Sequence, residues 1–171
     1  MANTSPTAPT SNSANYGLWT YPYAAYDHSL HAFTYTFDNG AQKKQSYENF
    51  GFSIPSNATI TGIIMVCQSA APILGASESL YVSVYSTSAS AWSAQKSHTL
   101  TTTEATYTFG TSSDLWGKTW LPSDFSNANF SALIANPGAG NDSGGNTEID
   151  VYTLTIQVYY TTPSSSMLLM F

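Results

Sequence analysis

The sequence predicts an all-β fold, a single antiparallel β-sandwich of jelly-roll kind, and three observations predict it. Apolar residues recur at every second position through most of the chain after residue 16. Those stretches are rich in aromatic and β-branched residues, which fit a pleated, half-buried surface. Between them Gly, Pro, Asn and Asp cluster at turn spacings. No stretch sustains the 3.6-residue apolar period of an amphipathic helix, and no internal repeat marks a solenoid or propeller. A chain of 171 residues is long enough for one core and too short for two.

Taken in order, Met1–Asn15 (MANTSPTAPTSNSAN) holds Pro, Ser, Thr and Asn with nothing large to bury beyond Met1. It reads as an extended arm, residues 1–15, that a partner or an assembly would hold in place. The sandwich domain spans residues 16–162. Its expected strands are Ala32–Phe37, Tyr47–Ile54, Thr59–Gln68, Ser79–Ser86, Ala105–Phe109, Phe130–Ala135 and Glu148–Tyr160. In Ser79–Ser86, Leu80, Val82 and Val84 fall on one face and Tyr81, Ser83 and Tyr85 on the other. In Glu148–Tyr160 the even positions Tyr152, Leu154, Ile156, Val158 and Tyr160 make a long apolar row. Asp38-Asn39-Gly40, Pro55-Ser56-Asn57 and the tract Asn136–Asn146 read as turns and loops. Ser123–Phe130 is the one candidate for a helical turn, capped by Ser123 or Ser126. Residues 163–171 form a tail: a Pro-Ser spacer, then Met167, Leu168, Leu169, Met170 and Phe171. Five apolar residues in water would expose on the order of 500 Å² of apolar surface, so the tail reads as an assembly interface, or as a tail folded back onto its own sandwich.

Composition excludes several functions. Charged residues make up only 8% of the chain, with four Lys, no Arg and ten acidic residues, giving a net charge of −6. Nucleic acid and anionic membranes both require clustered cations, so neither is an expected partner. No apolar run approaches the roughly 20 residues of a membrane span, and the N-terminal segment lacks the basic and apolar regions of a secretory signal. The lone Cys67 has no disulfide partner in the chain and sits among Ile63, Ile64, Met65 and Val66, where a buried thiol is the natural reading.

Two groups of residues invite a metal. Asp27-His28-x-x-His31 offers a carboxylate and two imidazoles, but has no evident fourth ligand and runs into a strand. Asp142, Glu148 and Asp150 flank a Gly-rich loop without the spacing of a calcium-binding loop. Neither set makes a metal or other cofactor expected. The nucleophile elbow, the phosphate loop, the dinucleotide fingerprint and the zinc-protease motif are all missing, so no enzyme activity is expected. Tyr16, Trp19, Tyr21, Tyr23 and Tyr26 fall within 11 residues. Exposed, they could stack on sugar rings or anchor a protein partner; buried, they would cap the sandwich.

Two blocks carry a family resemblance. Residues 50–63, Phe-Gly-Phe-Ser-Ile-Pro-Ser-Asn-Ala-Thr-Ile-Thr-Gly-Ile, and residues 110–125, which include Ser113-Asp114-Leu115-Trp116-Gly117-Lys118-Thr119-Trp120, resemble a group of β-sandwich structural proteins of tailed bacteriophages. Asn129-Phe130, the closing Val158-Tyr159-Tyr160-Thr161 and the opening Trp19-Thr20 fit the same group. The chain departs from it at Met65-Val66-Cys67, where alternating charges are more usual, so the sheet there is expected to be buried on both faces. The resemblance implies a non-enzymatic virion protein made in the host cytoplasm. Its most specific form is a capsid decoration or cement protein, a homo-oligomer (a trimer) seated on the major capsid protein. The alternative is a glycan-binding module of a tail fibre or cell surface, using the aromatic cluster.

Overall fold

The computed structural model describes residues 1–13, 19–27, 30–36, 41–73, 78–137 and 147–163. Its elements are β1 (Ala2–Asn3), β2 (Ser11–Ser13), α1 (Ala24–Asp27), β3 (Ala32–Thr36), β4 (Lys44–Glu48), β5 (Thr59–Ala70), β6 (Ser79–Ser86), β7 (Ala91–Trp92), β8 (Lys96–Thr99), β9 (Ala105–Thr111), a 3-10 turn (Pro122–Phe125), β10 (Phe130–Ala135) and β11 (Thr147–Thr161). They form two antiparallel sheets facing one core, the sandwich that the sequence predicts.

In the first sheet β5 lies between β9 and β11. The far edge of β11 is shared by β3, opposite Thr147–Val151, and β1, opposite Tyr159 and Tyr160. The second sheet runs β2-β4-β10-β6, and β7 and β8 both pair with the outer edge of β6. Period-2 burial places Ile63, Met65 and Cys67 of β5, Leu154, Ile156 and Val158 of β11, and Leu80, Val82 and Val84 of β6 in the core. On the outer face of β5, Ile64, Val66 and Gln68 are half-buried.

The two sequence blocks serve the fold. Trp116, Trp120, Phe125 and Phe130 close one end of the sandwich, with the Phe125 and Phe130 rings stacked at 5.2 Å. The Asp114 carboxylate accepts the Trp116 N–H at 2.8 Å, and Trp116 and Gly117 both adopt positive φ in that tight turn. Gly62 is required by close approach, because a Cβ there would sit 2.2 Å from the Ser112 backbone. Pro55 opens its expected turn, with Ala58 N–H donating to Pro55 C=O at 3.0 Å.

Three expectations need correction. The strand expected over Tyr47–Ile54 is Lys44–Glu48 instead, because positive φ at Asn49 and Gly51 turns the chain out of the sheet. The stacked pair Phe50 and Phe52 then packs on Phe130 rather than continuing a strand. Tyr152 leaves the apolar row of β11, because a register shift between Val151 and Thr153 changes the phase. Ile149 and Val151 face inward before the shift, Leu154 and Ile156 after it, and Tyr152 faces out. The helical turn is a 3-10 turn at Pro122–Phe125, preceded by Leu121 rather than capped by a serine.

Residues 1–13 are extended, as their composition implies, but the chain itself supplies their partners. Thr4 N–H donates to Val158 C=O and Thr7 exchanges two bonds with Ile156, all at 2.9 Å. Ser11–Ser13 then pairs with β4. The segment therefore passes from the edge of one sheet to the edge of the other. Pro6 and Pro9 lie between the donating residues, as an edge strand permits. Met167–Phe171 lies outside the described residues.

Candidate functional site

The outer face of the second sheet forms a groove of about 530 Å³ lined by Gln42, Lys44, Ser83, Trp92, Ser93, Gln95 and Leu133. Alternation along the strands builds its floor. Because Val82, Val84, Ala132 and Ile134 face the core, Ser83 and Leu133 point outward, and the register sets Leu133 directly opposite Ser83. The turn between β6 and β7 builds one wall. Ser90 takes positive φ and donates its N–H to Thr87 C=O, which reverses the chain and sets Trp92 opposite Tyr85. The two rings lie 5.1 Å apart at 51°, and Trp92 keeps 37% of its surface exposed.

Polar groups complete the groove. The Gln42 and Gln95 amides donate to each other's carbonyls at 3.2 and 3.1 Å. Gln42 precedes β4 and Gln95 precedes β8, and β10 and β6 run between those strands, so the pair bridges the groove. Ser93 Oγ accepts the Val84 N–H at 3.1 Å, which locks the strand end beside Trp92. The lining thus combines one large aromatic face, two carboxamides, two hydroxyls and one ammonium.

Sequence reading missed this site. Trp92 sits in Ser88-Ala89-Ser90-Ala91-Trp92-Ser93-Ala94-Gln95 with no apolar neighbour of its own size. A large ring with no hydrophobic company is the signal that would have marked it as exposed.

The aromatic cluster singled out earlier is divided. Trp19 is buried and donates its indole N–H to Lys43 C=O at 3.2 Å. Tyr26 is half-buried, its ring edge-on to Tyr47 and its hydroxyl on Asn12. Tyr21 and Tyr23 are 46% and 40% exposed and meet edge-to-face at 6.0 Å. Tyr16 lies outside the described residues, as do His28 and Asp142, and the Asp27 side chain is likewise not described. Cys67 is fully buried, and burial pushes its thiol up to about 12, so it holds its proton at neutral pH.

A second polar group forms on the first sheet, where His31, Glu148 and Asp150 converge. Burial pushes the Asp150 carboxyl up to about 6; the Glu148 charge adds to the rise, while His31 and the Tyr152 hydroxyl oppose it.

No protein-family model and no curated protein matches the chain. Among solved structures it is similar to a family 16 carbohydrate-binding module, at 12% identity and a TM-score of 0.42, over 79% of this chain and 81% of the other. It is similar also to a CBM4 structure, at 12% identity and a TM-score of 0.41, over 74% and 82% of the two chains. A truncated AlyQ with CBM32 and alginate lyase domains shares 14% identity at a TM-score of 0.46, over 95% of this chain and 35% of that one. At such identities and scores the likeness says nothing of what this chain binds.

Proposed function

We propose that the chain is a carbohydrate-binding module that holds a neutral glycan in the groove of the second sheet. The observation that carries this reading is Trp92, a half-exposed indole braced by Tyr85 beside a floor of Ser83 and Leu133. The apolar C–H face of a pyranose ring stacks on such a surface, and carboxamides and hydroxyls are the groups that pair with sugar hydroxyls in both donor and acceptor senses. A concavity of 530 Å³ falls within the roughly 300–1,000 Å³ range of small-molecule sites. Its described lining contains no carboxylate. Glycoside hydrolysis needs two, so this supports binding over turnover.

The virion reading is supported by the two sequence blocks. Their large side chains, Trp116 and Trp120, are buried, so the blocks support a shared fold more than a shared docking surface. The two readings meet in a glycan-binding module displayed on a fibre or other surface.

Affinity electrophoresis in native gels containing neutral polysaccharides, with acidic ones as comparison, tests the proposal. The expected result is retardation by a neutral polysaccharide, weakened about 10-fold or more in Trp92→Ala, since hot-spot aromatics typically cost 2 kcal/mol or more. Unchanged retardation of that variant, or retardation by acidic polysaccharides alone, overturns it.

A further inference from the structure

The outer face of the first sheet carries a group of donors that the glycan reading does not use. On β11 the inward set before the register shift is Ile149 and Val151, so Glu148 and Asp150 face outward. On β3 Ala32 and Thr34 are buried, which turns Phe33 and Tyr35 outward together with His31 just before the strand. Pairing of Asp150 with Phe33 and of Val151 with Ala32 then brings His31 over the two carboxylates. The ligand atoms of His31, Glu148 and Asp150 all lie within 4.8 Å of one another.

Asp150 makes this more than an acidic patch. Its side chain is only 4% exposed, and its Oδ1 is buried with no hydrogen-bond partner. That oxygen faces the imidazole, with His31 Nε2 3.7 Å away, beyond hydrogen-bond range. The edge of a tetrahedral zinc site with bonds of about 2.0–2.1 Å is roughly 3.4 Å, so the pair stands close to a bridging geometry. Asp150 Oδ2 accepts from the Tyr152 hydroxyl at 3.3 Å, and the imidazole packs between Phe33 at 5.6 Å and Tyr152 at 5.4 Å. Such surroundings orient both ligands.

We propose that His31, Glu148 and Asp150 form a binding site for one divalent transition-metal cation of borderline softness, Zn²⁺ being the representative, which clasps the start of β3 to β11. One imidazole with two carboxylates suits such an ion; an all-oxygen set would suit Ca²⁺ instead. Three protein ligands leave a coordination position open to water or to an external oxygen donor. The site joins one histidine from the Asp27–His31 segment to two acids from the Asp142–Asp150 segment, and neither segment holds the set alone.

The test is titration of the full chain with Zn²⁺ by calorimetry at neutral pH, with Co²⁺ absorption as a spectroscopic readout. One Zn²⁺ per chain is expected, with a rise in Tm on binding. Affinity should fall about 100-fold or more in His31→Ala and Asp150→Asn, since loss even of an outer-shell partner costs 10–100-fold. Glu148→Gln covers the case in which a variant at Asp150 does not fold. His28→Ala and His98→Ala should bind as the parent does. Absence of saturable binding, a preference for Ca²⁺, or loss of binding in the His28 or His98 variant instead would overturn the assignment.

Discussion

At the scale of single residues, Asp114 shows how the turn between β9 and the 3-10 turn is held. Its Oδ2 lies 2.7 Å from Lys96 Nζ, its Oδ1 accepts the Trp116 N–H, and Lys96 lies over the Trp116 ring at 5.0 Å. Burial pushes the Asp114 carboxyl up, but the Lys96 hydrogen bond, the Trp116 N–H and the Lys96 charge together outweigh it and hold the group below its ordinary value near 3.8. A carboxyl depressed in the folded state contributes stability that is present above the unfolded value and is lost as pH falls through the folded value. Asp114→Asn keeps the acceptor for Trp116 but removes the ion pair. It should cost about 1 kcal/mol at pH 7, and the gap from the parent should narrow at a pH below the ordinary carboxyl value near 3.8, as the folded-state carboxyl takes up its proton. Urea unfolding of both proteins at the two pH values measures it; a gap that stays constant with pH would show that packing around Trp116, not charge, carries the effect. Asp as the acceptor of its own turn and Gly at positive φ are what these residue types favour in a turn, so the roles of Asp114 and Gly117 follow from their chemistry. The Lys96 partner does not, since strand pairing alone brings residues 18 apart together.

At the scale of elements, the N-terminal segment is the clearest departure from composition. Ser, Thr, Asn and Pro bury little, which is why residues 1–15 read as an arm held by a partner or an assembly. Yet backbone groups pair regardless of side chain, and β4 and β11 each offer an open edge. Deleting residues 1–13 should therefore leave a folded core with a Tm lowered by several degrees, faster amide exchange at Ile156 and Val158, and a tendency to associate through the bared edges. Hydrogen exchange of the isolated chain checks the same point without a deletion. Protection at Thr4 and Thr7 in a monomer is the expected result; exchange at random-coil rates would return the arm to a partner. Strand existence was readable for β5, β6, β9, β10 and β11, because period 2 with aromatic and β-branched residues has one meaning over five or more positions. The two-residue strands β1 and β7 carry too few residues for a period, and the phase change at Tyr152 follows from a bulge that alternation cannot announce.

At the scale of the whole molecule, the two sheets present different chemistry to solvent. The second offers a groove with one indole, two carboxamides and a single ammonium, and the first a cluster of acids, an imidazole and aromatic rings. The groove was invisible in the sequence because its lining comes from four separate segments, 42–44, 83, 92–95 and 133, that only sheet order brings together. The aromatic set Tyr16, Trp19, Tyr21, Tyr23 and Tyr26, of which Tyr21 and Tyr23 are well exposed, was visible because its members fall within 11 residues, which made it a candidate for a sugar or a protein partner. A ¹⁵N–¹H correlation spectrum of the full chain, titrated with an oligosaccharide of whichever polysaccharide retards it, discriminates the two surfaces directly. If the groove is the glycan site, the Trp92 indole N–H and the amides of Ser83, Ser93, Gln95 and Leu133 shift together and saturably, with the Gln42 and Gln95 side-chain amides. Shifts confined to Tyr21, Tyr23 and Phe33, with the Trp92 indole unmoved, would contradict it.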